Sequence, residues 1–288
     1  MTPASNKPLL LLGSDGMLGR AFAELLQNQN RPFEARTFPQ FDLTRQDSIR
    51  DAISTRFSAV INCAAYTDVD GAETNQVLAQ QINASGVGHL AINCRLASLP
   101  LVHFSTDYIF DGTGRTPYPP VPPPDDSRPI NVYGRSKLQG EQLIREVSDE
   151  HLIIRTSWLY APWAKNFVRT IAAASRSKPE LQVVNDQQGR PTSAQHLAAS
   201  TLALLNRKAR GIYHITDSGQ CTWFDFACEI VRLTNANCNV TPCTSAAFPR
   251  PAKRPAYSVL DIAKTESELG PLPTWKSNLE AVISRLEI

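Results

Sequence analysis

Long apolar runs are scarce in this sequence of 288 residues. The N-terminal stretch MTPASNKPLLLLGSDG holds only four consecutive leucines before a glycine, too few for a signal peptide's apolar region and far too few to span a bilayer. Residues 1 to 7 read as a short disordered lead-in, and no membrane partner is expected. Charge of one sign is equally scarce: 29 lysines and arginines against 27 acids give a formal net charge of +2. With no long basic run and no basic face interleaved with aromatics, nucleic acid is not an expected partner. The six cysteines, at 63, 94, 221, 228, 238 and 243, include no C-x-x-C pair. Reduced thiols in a cytoplasmic protein are expected rather than a disulfide frame or a zinc site.

What is present is an alternation. Short apolar runs at residues 8–12, 33–36, 59–65, 101–106 and 152–160 read as strands, with helical patterns at 17–28, 45–56, 73–98 and 131–148 between them. Such alternation implies an α/β fold of Rossmann type, a doubly wound parallel sheet wrapped by helices. Beyond residue 160 the pattern loosens, with helices near 164–177, 194–206, 222–235 and 275–287, strands at 181–186 and 211–216, and a loop-rich tract at 241–261. The expected division is a dinucleotide-binding domain over 1–157 and a smaller C-terminal substrate-binding lobe over 158–288, interleaved with the first. Seven prolines fall within residues 117–129. They are either a stiff connector or a polyproline ligand, and their place between a buried strand and a helix favours the connector.

Gly13, Gly16 and Gly19 follow the first strand in a G-x-x-G-x-x-G spacing at the mouth of a helix. Glycines there allow a tight turn and close backbone approach to a pyrophosphate, while the helix N-terminus offers free N–H groups and partial positive charge. Asp15 lies inside this loop and opposes phosphate unless its side chain points outward. The second strand ends in Arg36 and Thr37 with no acid, which favours NADPH over NADH, because an acid there usually binds the adenosine ribose and an arginine accommodates a 2′-phosphate.

NVYGRSKLQGE, residues 131 to 141, sets Tyr133 and Lys137 on one helix face. A tyrosine works as an acid near neutrality only if a cation stabilises its phenolate, and lysine at i+4 can do so. By itself the pair is as readily two solvated side chains. Ser105, Thr106 and Asp107 end the strand at 101–106, on the carboxyl edge where doubly wound folds bind ligands. Thr106 alone reads as a strand-end turn residue, and Asp107 is as readily a turn residue as a functional one. His103 reads as a hydrogen-bonded core histidine, Asp68 and Asp70 as an acidic helix entry, and Trp163, Trp223 and Trp275 as packing.

Taken in order, GSDGMLG, FDLT, INCAAYTDVDGAE, HFSTDYIFDG, NVYGRSKLQGE, RTSWLYA, NDQQGRPTSA, GIYHITDSG and RPAYSVLD resemble the extended short-chain dehydrogenase/reductase family over about residues 8 to 285. The resemblance implies cofactor contacts at Gly13, Gly16, Met17 and Leu18 of the phosphate loop, at Asp42 and Leu43 on the adenine side, and along Ala64, Ala65 and Tyr66. It implies a catalytic set of Thr106, Tyr133 and Lys137, and sugar contacts at Thr106, Asp107, Trp158 and Arg254. The activity implied is NAD(P)H-dependent reduction of the 4-keto group of dTDP-4-dehydro-6-deoxy-L-mannose, by a monomer or homodimer. Magnesium occurs among the members resembled, and metal stays open here. The alternatives are a nucleotide-sugar epimerase or dehydratase, which regenerates its cofactor, and a non-catalytic cofactor-binding subunit like that of methionine adenosyltransferase.

Overall fold

The computed structural model describes residues 7–122 and 128–286. The lead-in at 1–6 and the proline tract's centre at 123–127 lie outside the described residues. Lys7 donates to the Thr55 carbonyl at 2.8 Å and is not part of a free lead-in.

The first half runs β1 Leu9–Leu12, α1 Met17–Asn28, β2 Phe33–Arg36, α2 Gln46–Ala52, β3 Val60–Asn62, α3 Val69–Thr74, α4 Gln76–Gln80, a π-helical turn Gln81–Gly86, α5 Val87–Leu96, β4 Leu101–Thr106, α6 Val132–Val147 and β5 His151–Thr156. The second half adds β6 Leu159–Tyr160, α7 Phe167–Ser177, β7 Glu180–Val184, β8 Gln188–Gly189, β9 Thr192–Ser193, α8 Ala194–Asn206, β10 Gly211–His214, β11 Cys221–Thr222, α9 Trp223–Leu233, β12 Asn239–Cys243, α10 Ala263–Leu269 and α11 Trp275–Ile283. Six strands form one parallel sheet in the order β10-β5-β4-β3-β1-β2. The chain leaves β1 in one direction for β2 and returns across it to β3. The crevice beyond the carboxyl ends of β1 and β3 is therefore the switch point at which such sheets bind ligands. The sixth strand, β10, comes from the second half of the chain.

The leucine run of β1 is buried on both sides. Leu9 and Leu11 join the core packed under α1 and α8, and Leu10 and Leu12 join the core under α2 and α5. Strand geometry sends alternate side chains to opposite faces, so an unbroken apolar run is what a central parallel strand requires. Each fully buried leucine contributes about 1.5–3 kcal/mol of transfer free energy. A third core, between α7, α9 and α11, belongs to the second half and includes Tyr160, Phe226 and Trp275.

Two segments depart from the sequence reading. The single helix expected over 73–98 is broken at Asn75 (φ −112°, ψ 47°) and widened into the π turn. Its apolar periodicity persists through the break, which is why the sequence does not reveal it. The π turn lets Asn83 bind both ends of the Tyr66 backbone, at 2.9 Å each, and donate to Ser136 on α6 at 3.0 Å. The tract expected to be loop at 241–261 contributes part of β12, a parallel partner of β7 in a two-stranded sheet. Pro242 is tolerated there because such a strand has a free edge.

Helix α6 is pressed against its neighbours at its glycines. A Cβ on Gly140 would fall on the Asn83 carbonyl oxygen, a backbone atom with no rotamer to escape into. We predict that Gly140→Ala, by levering α6 off the π turn, costs about 1–3 kcal/mol of stability and shifts the Tyr133 side of the cleft. Urea denaturation with an activity measurement checks this, and unchanged values of both would show that α6 is not seated by this contact.

Candidate active site

A cleft of about 630 Å³ opens over the switch point. One end is lined by Gly13, Gly16, Met17 and Leu18, the other by Ser105, Thr106, Asp107, Tyr133 and Lys137, with Trp158 and Trp223 closing the side toward the second half. Asp42, Leu43, Ala64 and Ala65 line it between.

The glycine turn is built for close approach. Gly13 has φ +72°, and a Cβ there would lie 2.6 Å from the Ala64 nitrogen on the end of β3, so this position favours glycine both by conformation and by space. Gly16 is the N-cap of α1, a helix with no acid in its first turn. Its free N–H groups and dipole suit a pyrophosphate. Asp15 also lines the cleft, and Gly19 faces back onto Gly13 rather than into it. Thr37 Oγ1 and Ser105 Oγ are buried without a hydrogen-bond partner, and the two residues line the cleft at its adenosine end and its reactive end. Buried polar atoms are normally satisfied, so unpartnered atoms spread along one cleft fit a long polar ligand such as a dinucleotide.

At the reactive end, Asn131 caps α6, accepting from the Gly134 N–H at 2.8 Å. That cap turns the first helical turn, carrying Tyr133, toward the end of β4. Burial pushes the Tyr133 phenol's pKa upward and the Asp107 charge adds to this, while a hydrogen bond with Thr106 acts the other way. The phenol is therefore held protonated. The one proton of Thr106 Oγ1 is donated to Asp107 Oδ1 at 3.0 Å, and burial pushes the Asp107 carboxyl up to about 6. Lys137 is 2% exposed, and its Nζ lies 3.1 Å from His103 Nε2. The hydrogen bond of its amine is thus made to His103, on the strand side of α6.

Three residues named from the sequence stand off the cleft wall. Arg36 points along β2 to Glu34, two residues back on the same strand face, at 2.8 Å, and is not in the cleft. Its neighbour Thr37 takes that place. Tyr66 lies behind the loop after β3, where its hydroxyl accepts from Asn75 at 3.5 Å. Arg254 is held by Asp70 at 2.8 Å and by the Ala252 carbonyl, pinning the C-terminal tract to the first turn of α3. Asp68 caps α3 through the Gly71 N–H. Among the described residues no group of three or more His, Cys, Asp or Glu side chains could hold a metal ion, and no helix is long and apolar enough to cross a membrane.

Trp223, read as packing, is a cleft residue. Its ring stacks on Trp158 with centroids 3.6 Å apart and planes 10° apart. Trp158 itself sits at φ +47°, costly for a bulky side chain, and Gly189 leaves room for its indole. The sequence carries one usable signal for Trp223, a large aromatic on the first turn of a helix opened by the Thr222/Asp225 capping box.

A crevice at the switch point, with a glycine turn at one end and Tyr133 and Lys137 on the facing helix at the other, is the arrangement of a nicotinamide-dependent oxidoreductase of the short-chain dehydrogenase/reductase class. Residues 7–288 match the model of the RmlD substrate binding domain. The chain is 40% identical to a probable dTDP-4,6-dihydroxy-2-methyloxan-3-one 4-ketoreductase of Streptomyces antibioticus, over 94% of this chain and 92% of that one. It is 39% identical to a dTDP-4-dehydrorhamnose reductase of Streptomyces griseus, over 97% and 94%. A crystal structure of dTDP-4-dehydrorhamnose reductase from Bacillus anthracis in complex with NADP superposes with a TM-score of 0.91 at 33% identity, over 96% and 99%. The chain belongs to the dTDP-4-dehydrorhamnose reductase family.

Proposed function

We propose that this protein reduces the 4-keto group of dTDP-4-dehydro-6-deoxy-L-mannose with NADPH, giving dTDP-L-rhamnose. The observation that carries the reading is the placement of Tyr133, with Lys137 on the same helix, at the reactive end of the cleft, beside Thr106 and across from the glycine turn. Relatives named for the same or a neighbouring keto-sugar reduction, and a neighbour solved with NADP, support it. When bound, NADPH supplies the hydride. Gly13, Gly16, Met17 and Leu18 are the residues we assign to its pyrophosphate, Asp42, Leu43 and Thr37 to its adenosine, and Ala64, Ala65 and Ser105 to its length.

Tyr133 gives its proton to the sugar oxygen as charge develops there, and Thr106 hydrogen-bonds at the carbonyl or the phenol. Lys137 holds the nicotinamide ribose and, once its ammonium is near, stabilises the phenolate left behind. Asp107 binds the sugar, and the Trp158/Trp223 stack forms the wall against which the nucleotide sugar is oriented. The six free thiols support a reducing cytoplasm as the setting.

The test is stoichiometric. Incubated with the dTDP-4-keto-6-deoxy sugar, the protein should oxidise one NADPH per sugar and release a 4-hydroxy product. Conversion of the sugar without net NADPH loss would instead indicate an epimerase or dehydratase. Faster turnover and tighter binding with NADH would overturn the cofactor preference.

A further inference from the structure

The lysine of the reactive end is tied into a hydrogen-bond chain that runs back to the cofactor loop. The Ala64 N–H donates to Asn62 Oδ1 at 3.1 Å. That contact orients the Asn62 amide, so its Nδ2 faces His103 Nδ1 at 3.2 Å. An amide nitrogen only donates, so Nδ1 must be the bare, accepting nitrogen of the ring. A neutral imidazole with a bare Nδ1 carries its proton on Nε2, and Nε2 is 3.1 Å from Lys137 Nζ. A donor there requires an acceptor opposite, and an ammonium has no lone pair. Only the uncharged amine closes the chain without setting two donors face to face.

We propose that His103 is a positioning residue for Lys137: through Asn62 its Nε2–H holds the lysine as a neutral amine beside β4 in the cofactor-free protein. The proposal rests on the reductase reading for the role given to Lys137, but the hydrogen-bond chain stands independently of it. Protonating Lys137 costs the chain one contact, since either the lysine leaves His103 or the Asn62 amide turns and abandons Ala64. The charged form is thereby biased toward leaving its parked place for the cofactor side, and NADPH binding is coupled to proton uptake.

The surrounding groups agree. Burial lowers the Lys137 pKa to about 8, and the charge of Glu141, one turn along α6, opposes that. Glu141 is itself claimed by Arg155 of β5. Burial keeps His103 neutral, its pKa well below the usual imidazole value, and the Lys137 charge pushes the same way. Burial also holds Tyr133 and Cys63 in their uncharged forms. Burial likewise holds the Tyr108 phenol uncharged, and Asp107 of the turn after β4 carries its charge against Tyr133.

Three measurements test the assignment. In the cofactor-free protein, long-range proton–nitrogen NMR of His103, identified by its loss in His103→Gln, should show a proton on Nε2 and none on Nδ1 at pH 9, above the lysine's transition. A proton on Nδ1 there overturns the proposal. The Lys137 side-chain titration, identified by its loss in Lys137→Met, should move upward in His103→Phe by roughly 0.4–1 unit, the worth of one hydrogen bond to the neutral amine. A downward move would mean that His103 serves the ammonium as an acceptor, and would overturn the proposal. His103→Gln, whose amide can present oxygen to Asn62 and N–H to Lys137, should restore most of the original midpoint.

The third measurement is proton uptake on NADPH binding at pH 8.5, read by calorimetry in buffers of different ionisation heat. The wild type, mostly uncharged at Lys137 there, should take up more than His103→Phe, whose lysine is by then about half to three-quarters protonated. Equal uptake by the two overturns the coupling. Absence of keto-sugar turnover, with the tautomer and the titration as expected, would instead sink the functional reading and leave the His103 assignment standing.

Discussion

Tyr133→Phe should lower kcat for keto-sugar reduction by about 10²–10⁴-fold, the range over which a positioned general acid contributes. Affinity for NADPH should change by less than about tenfold, since at most one hydrogen bond is lost. The asymmetry follows from where the hydroxyl sits. Its ring belongs to a small cluster with Val132 and Tyr66 and meets Tyr108 edge-on at 6.0 Å, contacts that phenylalanine keeps. The Thr106 hydroxyl is not orphaned either, because it donates to Asp107 and accepts from the Tyr108 N–H. What disappears is the proton. Stopped-flow reduction with saturating NADPH separates the terms: a variant that binds cofactor normally and turns over within threefold of wild type would remove Tyr133 from the role of proton donor. Thr106→Val should fall between the two, weakening the phenol's orientation while leaving its proton.

Much of this arrangement is legible in the chain because it is local. The LLLL of β1, the glycine spacing and the Tyr133/Lys137 pair each lie within a few residues, and strand or helix period alone fixes which side chains share a face. The carboxyl-edge rule then brings Thr106 opposite Tyr133, though 27 positions separate them in the sequence. Legibility ends where a partner is chosen by packing. Nothing near Arg36 announces that Glu34, itself tied to Arg56, will hold its guanidinium away from the cleft. The rule about the end of β2 gives way to a neighbour two residues back.

His103 shows the same limit from the other side. Read from sequence it is a core histidine, and it is indeed buried, yet its two nitrogens connect the cofactor loop to the lysine. Only the register of β4 on β3, with Asn62 directly beside His103, makes that visible. Trp223 is hidden for a comparable reason, since its partner Trp158 is brought to it by the fold of the second half and by a strained backbone at φ +47°.

The largest stability effect should come from beneath α6, at Glu141 and Arg155. Both side chains are 0% exposed, and the guanidinium engages the carboxylate through Nε at 3.0 Å and Nη2 at 2.7 Å. Its Nη1 donates to the Val121 carbonyl of the proline tract at 2.8 Å and lies 3.4 Å from His214 Nε2. Burial keeps His214 uncharged, and its Nδ1 donates to the Asp261 carbonyl at 3.0 Å, which leaves Nε2 free to accept from Arg155. Glu141→Ala strands a guanidinium with no counter-charge and should cost about 3–5 kcal/mol. Glu141→Gln keeps a hydrogen-bonding tip and should cost less. The double variant Glu141→Leu/Arg155→Met removes both charges and should recover much of the loss, because a buried pair repays its own desolvation only in part. Urea unfolding of the four proteins gives the coupling directly, and a Glu141→Ala cost below about 1 kcal/mol would show that water reaches the guanidinium. The same substitution removes the negative charge that raises the Lys137 pKa, so the lysine should titrate lower and the NADPH-dependent activity should begin to fall at a lower pH. A pair placed to hold the proline tract, β5 and α6 together is thereby also expected to set where the active-site lysine keeps its proton.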